Sequence, residues 1–175
     1  MKLTSTIGLL FAAFAIFAWP HTLSTESAIA SGCPPVRYGC LYLEAAHIEG
    51  VATDRLIALA MAETRNGAYL GVGTDYPVSR AGAIGIMQVM PSTSDRYCPR
   101  LDQTDVWGSI RCGARVLAEY ERRVGADLAI AAYNAGPGAV ERWSGAPPYR
   151  ETGRHARNFE RALREFRAVA SRGHV

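Results

Sequence analysis

No CxxC pair occurs in this sequence, and its four histidines, His21, His47, His155 and His174, are scattered along the chain. Zinc-type ligand spacing is therefore missing, and neither a metal nor a cofactor is expected. Basic residues number 19 and all but Lys2 are arginine, yet they form no concentrated patch with interleaved aromatics. A nucleic-acid role accordingly has no support. Internal repeats, low-complexity tracts and sustained heptads are all missing, which sets aside solenoids and coiled coils. No motif supports a Ser-His-Asp or Cys-His nucleophile either.

What is present describes a modest exported domain. A length of 175 residues with 49% hydrophobic content suffices for one core. The apolar run from Ile7 to Trp19 is too short to span a bilayer comfortably. With Lys2 before it and Ala28-Ile29-Ala30 after it, residues 1–30 read as a signal peptide and 31–175 as the mature domain, periplasmic or secreted after cleavage near Ala30. The polar gap from Pro20 to Glu26 leaves an uncleaved anchor as an alternative, and Ala30-Ser31-Gly32-Cys33 faintly resembles a lipoprotein site. Cleavage would leave 18 arginines against 15 acids, a net charge of +3 that suits an anionic envelope surface. Four cysteines in an exported chain argue for disulfides, with Cys33–Cys40 and Cys98–Cys112 the preferred pairs among three pairings.

In chain order, Pro34, Pro35 and neighbouring glycines predict an extended arm, followed by a short helix from Leu41 to Glu49 closed by Gly50. The run Asp54 to Thr64 repeats Leu56, Ile57, Ala60 and Met61 at helical spacing, and Asn66-Gly67 supplies its stop. Glu63 falls in the last turn, beside the negative end of the helix dipole and over Leu56, Leu59 and Ala60. Both circumstances disfavour its charge, as a general acid requires. By itself, a helical glutamate reads as a solvated surface residue. The glycine-rich stretch from Asn66 to Ser79 predicts a loop or short hairpin. In Gly82 to Pro91 one amide, Gln88, interrupts an apolar run; a close-packed turn with a working side chain and a buried strand with Gln88 satisfying a backbone group both fit. Further helices are expected from Thr104-Asp105 through Val124, from Leu128 to Asn134, around Val140 to Trp143, and from about Ala156 to Ala170. The arginines of the last helix read as a solvated face. The fold class is mostly α (α+β).

Three segments together resemble the lytic transglycosylases of the soluble type, relatives of goose-type lysozyme that cut bacterial peptidoglycan. They are Glu63-Thr64, where the family has Glu-Ser; Gly82-Ala83-Ile84-Gly85-Ile86-Met87-Gln88 with Met90-Pro91-Ser92-Thr93 and Ser79 before it; and Ala132-Tyr133-Asn134-Ala135-Gly136-Pro137-Gly138. In a fourth, Glu151-Thr152-Gly153-Arg154-His155-Ala156, His155 stands where the family has tyrosine. The resemblance covers about Leu41 to Phe159. It implies a lysozyme-like domain with a cleft for a glycan strand and Glu63 as sole catalytic acid and base. Ser79, Met87, Gln88 and Asn134 would line the cleft, Tyr133 would orient Glu63 or the substrate, and Thr64 and His155 are further candidates. Amides suit acetamido groups, while Tyr133 and Met87 offer apolar surface. Core packing for Tyr133 and helix capping for Asn134 are the plainer local readings. Asp75 is the nearest second carboxylate by sequence, though a turn role suits it better. The implied partners are peptidoglycan glycan strands, with a secretion or conjugation apparatus suggested by small size alone, and the chain is expected to act as a monomer. A goose-type-like hydrolase and a catalytically inactive wall-binding scaffold are the competing functions.

Overall fold

The computed structural model describes residues 32–66 and 76–172. The segment read as a signal peptide, most of the glycine-rich loop including Asp75, and His174 lie outside the described residues. Among the described residues seven helices follow one another: α1 (Gly39–Glu49), α2 (Thr53–Thr64), α3 (Pro91–Tyr97), α4 (Val106–Val124), α5 (Ala126–Ala135), α6 (Pro137–Trp143) and α7 (Arg150–Arg172). Among the described residues, extended pairing is limited to two isolated bridges, Val78 with Ile84 and Ile84 with Val89. The expected helix dominance is thus observed, and the glycine-rich motif is a tight turn rather than a strand.

The middle of the molecule is α2. Leu56, Ile57, Ala58, Leu59 and Ala60 are all fully buried among α1, α4 and α7, whereas Met61, read with them as part of the apolar pattern, is exposed on the far side of the last turn. Each large aliphatic side chain enclosed this way contributes roughly 1.5–3 kcal/mol. Around it the helices present single stripes: Ile110, Ala114, Leu117 and Tyr120 on α4, and Thr152, His155, Phe159 and Leu163 on α7, at the three-and-four spacing of one helical face. Charged clamps tie the layers. Arg55 of α2 reaches Glu121 of α4 at 2.8 Å and the Ala126 carbonyl at 2.8 Å, while Glu49 of α1 receives Arg111 and Arg115 of α4. Both expected disulfides are present, Cys33–Cys40 stapling the arm and Cys98–Cys112 tying the end of α3 to α4.

Several boundaries differ from expectation, among them earlier starts of α1 at Gly39 and of α6 at Pro137. Pro91 starts α3 instead of merely ending the preceding run, since its fixed φ and missing N–H suit the first turn of a helix. The last helix begins at Arg150, not Ala156, with the Tyr149 carbonyl accepting from Gly153 N–H at 3.0 Å. Helix α5 begins at Ala126 rather than Leu128, with Gly125 at its cap, whereas Asp105 caps α4 as expected by accepting from Gly108 N–H at 2.9 Å. Arg167 also leaves the simple solvated face, pairing with Asp54 at 2.7 Å.

Candidate active site

Glu63 occupies the last turn of α2, and how that turn ends decides where its carboxyl lies. Arg65 and Asn66 both take left-handed backbone conformations, φ +51° and +56°, and Asn66 N–H closes back on the Ala60 carbonyl at 3.1 Å. The buried Asn66 side chain holds this termination. Its Oδ1 accepts from the Tyr42 hydroxyl at 2.7 Å and its Nδ2 donates to the Arg37 carbonyl at 2.9 Å. Asn66 was legible only as a stop signal; its role in fixing the glutamate helix required the long-range partners.

Four bonds then join the motif segments in a closed ring. Thr64 Oγ1, on α2, donates to the Ile86 carbonyl of the turn at 2.8 Å. The next carbonyl, Met87, accepts from the Tyr133 hydroxyl of α5 at 2.9 Å. Asn134, also on α5, accepts through Oδ1 from Thr152 Oγ1 of α7 at 2.8 Å. One turn along α7, His155 Nε2 lies 2.7 Å from Glu63 Oε1, which returns the ring to α2. The two side chains of that last pair, His155 and Glu63, are 9% and 16% accessible, so both are largely enclosed and the glutamate keeps the larger accessible share.

The remaining motif residues shape the turn. Ser79 Oγ accepts from Ala83 N–H at 2.9 Å. Gln88 adopts φ +50° and donates through Nε2 to the Pro77 and Gly85 carbonyls at 3.1 and 2.8 Å, which leaves its Oε1 as acceptor. Here the plainer expectation, an amide satisfying backbone groups, describes the contacts observed. Gly85 is required at φ +79°, since a Cβ there would lie 2.3 Å from Ser109 Oγ and 2.5 Å from the Gln103 carbonyl. Met87 is fully buried, so the ring uses its backbone carbonyl while its side chain packs against Gly113 of α4. Tyr133 bonds to that carbonyl, and the direct contact to Glu63 is made by His155. Burial foremost, and the Glu63 charge next, push the Tyr133 phenol well above its ordinary range, so it stays a protonated donor. Thr152 was not among the expected site residues, although it lies one turn before His155 in the fourth motif. Glu151 is exposed in the first turn of α7. Among the described residues no group of three or more His, Cys, Asp or Glu side chains could hold a metal ion.

A carboxyl at the end of a buried helix, 2.7 Å from an imidazole nitrogen, is suited to proton transfer onto a polar ligand. Solved structures of two lytic transglycosylases share the surrounding fold. One is an inactive mutant of Slt from Pseudomonas aeruginosa, at 21% identity and a TM-score of 0.63, with 84% of this chain and 28% of that one covered. The other is the 70 kDa soluble lytic transglycosylase SLT70 from Escherichia coli, at 22% identity and a TM-score of 0.65, with coverage of 83% and 28%. The architecture is thus the lysozyme-like one of these Slt enzymes, and this chain spans 28% of the length of either structure. The family model of the transglycosylase SLT domain matches residues 41–155, well over half of the sequence. The chain belongs to the transglycosylase SLT domain family.

Proposed function

We propose that this chain is a peptidoglycan lytic transglycosylase that cleaves the β-1,4 bond between N-acetylmuramic acid and N-acetylglucosamine, with Glu63 as its only acid and base. The observation that carries the reading is the placement of Glu63 within the four-bond ring of family-motif residues, held at 2.7 Å by His155. Family membership and the shared fold support it independently. Glu63 gives its proton to the glycosidic oxygen as the bond to the muramic C1 breaks, leaving an oxocarbenium-like centre. The muramic acid's own C6 hydroxyl is tethered beside that carbon and holds a large effective-concentration advantage over free water. It adds to C1, its proton passes to the Glu63 carboxylate, and a 1,6-anhydro ring closes. Gln88 Oε1 and the amide N–H groups of Asn134 would receive the acetamido groups, with Tyr133 forming the wall between them and Ser79 and Met87 supporting the turn.

The N-terminal segment supports a periplasmic or extracellular setting after cleavage near Ala30, and in this reading the enzyme acts as a monomer that opens the wall for a secretion or conjugation apparatus. The test is mass analysis of muropeptides released from purified sacculi. Glu63→Gln should lower release by about 10²-fold or more, and wild-type products should lie one water below the hydrolytic ones. Reducing muramic ends alone would make the protein a hydrolase of the goose-type class, and full activity in Glu63→Gln would remove the acid assignment.

A further inference from the structure

His155 has two ring nitrogens in very different situations. Nε2 lies 2.7 Å from Glu63 Oε1, whereas Nδ1 is enclosed with no hydrogen-bond partner among the described residues. Three proton arrangements can join such a pair. A carboxylic acid can donate to Nε2, which puts the ring's proton on Nδ1. An imidazolium can face a carboxylate, which again protonates Nδ1. Alternatively, Nε2–H donates to Oε1 and Nδ1 carries only its lone pair. The first two leave a buried N–H donor with no acceptor, and the second adds a buried charge at that unpaired end. The third leaves an under-satisfied acceptor, the less severe of the two kinds of omission.

We infer that His155 is a positioning residue locked as the neutral Nε2–H tautomer by its unpartnered Nδ1, and that it thereby confines the exchangeable proton of Glu63 to Oε2. The inference rests on Glu63 being the acid. With Oε1 occupied by Nε2–H, the Oε2–H bond breaks as the glycosidic oxygen takes the proton. The same Nε2–H then stays on the carboxylate, and Oε2–H re-forms as the C6 hydroxyl loses its proton. One oxygen gives and takes, the imidazole proton never leaves, and the carboxyl need not rotate between steps. A ring nitrogen whose far side made a partner could relay a proton; this one has no route to do so.

Long-range 1H–15N spectra of the unmutated protein read the tautomer directly, with His155→Gln used to assign the signal. The expected result is a protonated Nε2 and a bare Nδ1 at the pH of the activity assay. A protonated Nδ1 would overturn the inference, whatever the activity. Kinetics on soluble glycan strands supply the second arm. His155→Phe, which keeps the ring without a donor, should lower kcat about 10²-fold through loss of carboxyl orientation while KM stays nearly constant. His155→Tyr, whose hydroxyl can donate from the same ring direction, should recover most of that loss. A Tyr variant no better than Phe would refute the donor role. Glu63→Gln keeps the two levels apart: its inactivity with a failed tautomer reading sinks this inference alone, and its full activity sinks the acid assignment while the spectrum still decides the tautomer.

Discussion

Gly113→Ala sets two effects of known size against each other. Gly113 lies in the interior of α4, where alanine normally stabilises by about 0.8–1.0 kcal/mol over glycine. A Cβ at this position, however, would meet Met87 Cγ at 2.5 Å, Cβ at 2.6 Å and Cε at 2.8 Å. The Cε could swing away, but a side-chain rotation cannot move Met87 Cβ. The Met87 backbone is itself held, its N–H donating to Ser109 Oγ at 3.3 Å and its carbonyl accepting from Tyr133 at 2.9 Å. Either the turn or α4 must therefore shift, and overpacking of a closed core costs about 1–3 kcal/mol. The net expectation is a loss of about 1 kcal/mol in urea unfolding followed by circular dichroism at an unchanged m-value. Turnover should fall by about tenfold, because the Met87 carbonyl moves with the turn that bears Gln88. Gly138→Ala on α6 is the control, since no atom lies within 4 Å of its added Cβ. A Gly113→Ala protein stabilised like that control would show that Met87 does not rest on α4 as described.

Two further outcomes concern the clamps outside the site. Burial pushes the Glu49 carboxyl up, but bonds and charges from Arg115 and Arg111 together outweigh it, so the group titrates below its ordinary value. Its stabilising contribution is complete above the unfolded-state value and fades as pH falls through the lower folded one. Glu49→Gln should cost about 2 kcal/mol near neutrality, between exposed and buried pairs because both arginines are partly solvated. Denaturation of both proteins across pH should show that gap narrowing below about pH 4; a constant gap would refute the ion-pair account. Replacing Cys98 and Cys112 together by alanine, which opens a loop of sequence separation 14, should lower stability by about 3 kcal/mol. Chemical unfolding would check it, and a loss below about 1 kcal/mol would mean that loop closure is not what the bond supplies.

Helices were legible wherever one face is buried and the ends carry their own signals, as for α2 and for α4 with its Asp105 cap. The failures share a cause. Pro91 looked like the end of an apolar run because local sequence cannot tell a terminator from a helix start; only the packing of α3 beside α4 distinguishes them. Local sequence argues for a later start of α7, since Pro147, Pro148 and Gly153 all disfavour helix, and the buried stripe of Thr152 and His155 against α2 and α5 overrides them.

The same limit governs the site. Glu63, Thr64, Met87, Tyr133, Asn134 and His155 could each be picked out by residue type and motif, but not their partners, which lie 22, 46, 18 and 92 residues apart around the ring. A tyrosine hydroxyl can serve a carboxylate or a carbonyl equally well, so its choice of Met87 over Glu63 comes from where α5 crosses the turn, which no local pattern records. The ring is also what makes so many polar groups tolerable at the centre of a small helical domain, because each hydroxyl and amide in it meets an acceptor or donor. Nδ1 of His155 is the exception. Gln103 Oε1 is also buried without a partner among the described residues, but it lies outside the ring; only at Nδ1 does the missing partner bear on the carboxyl, because a partner there would let the imidazole relay a proton.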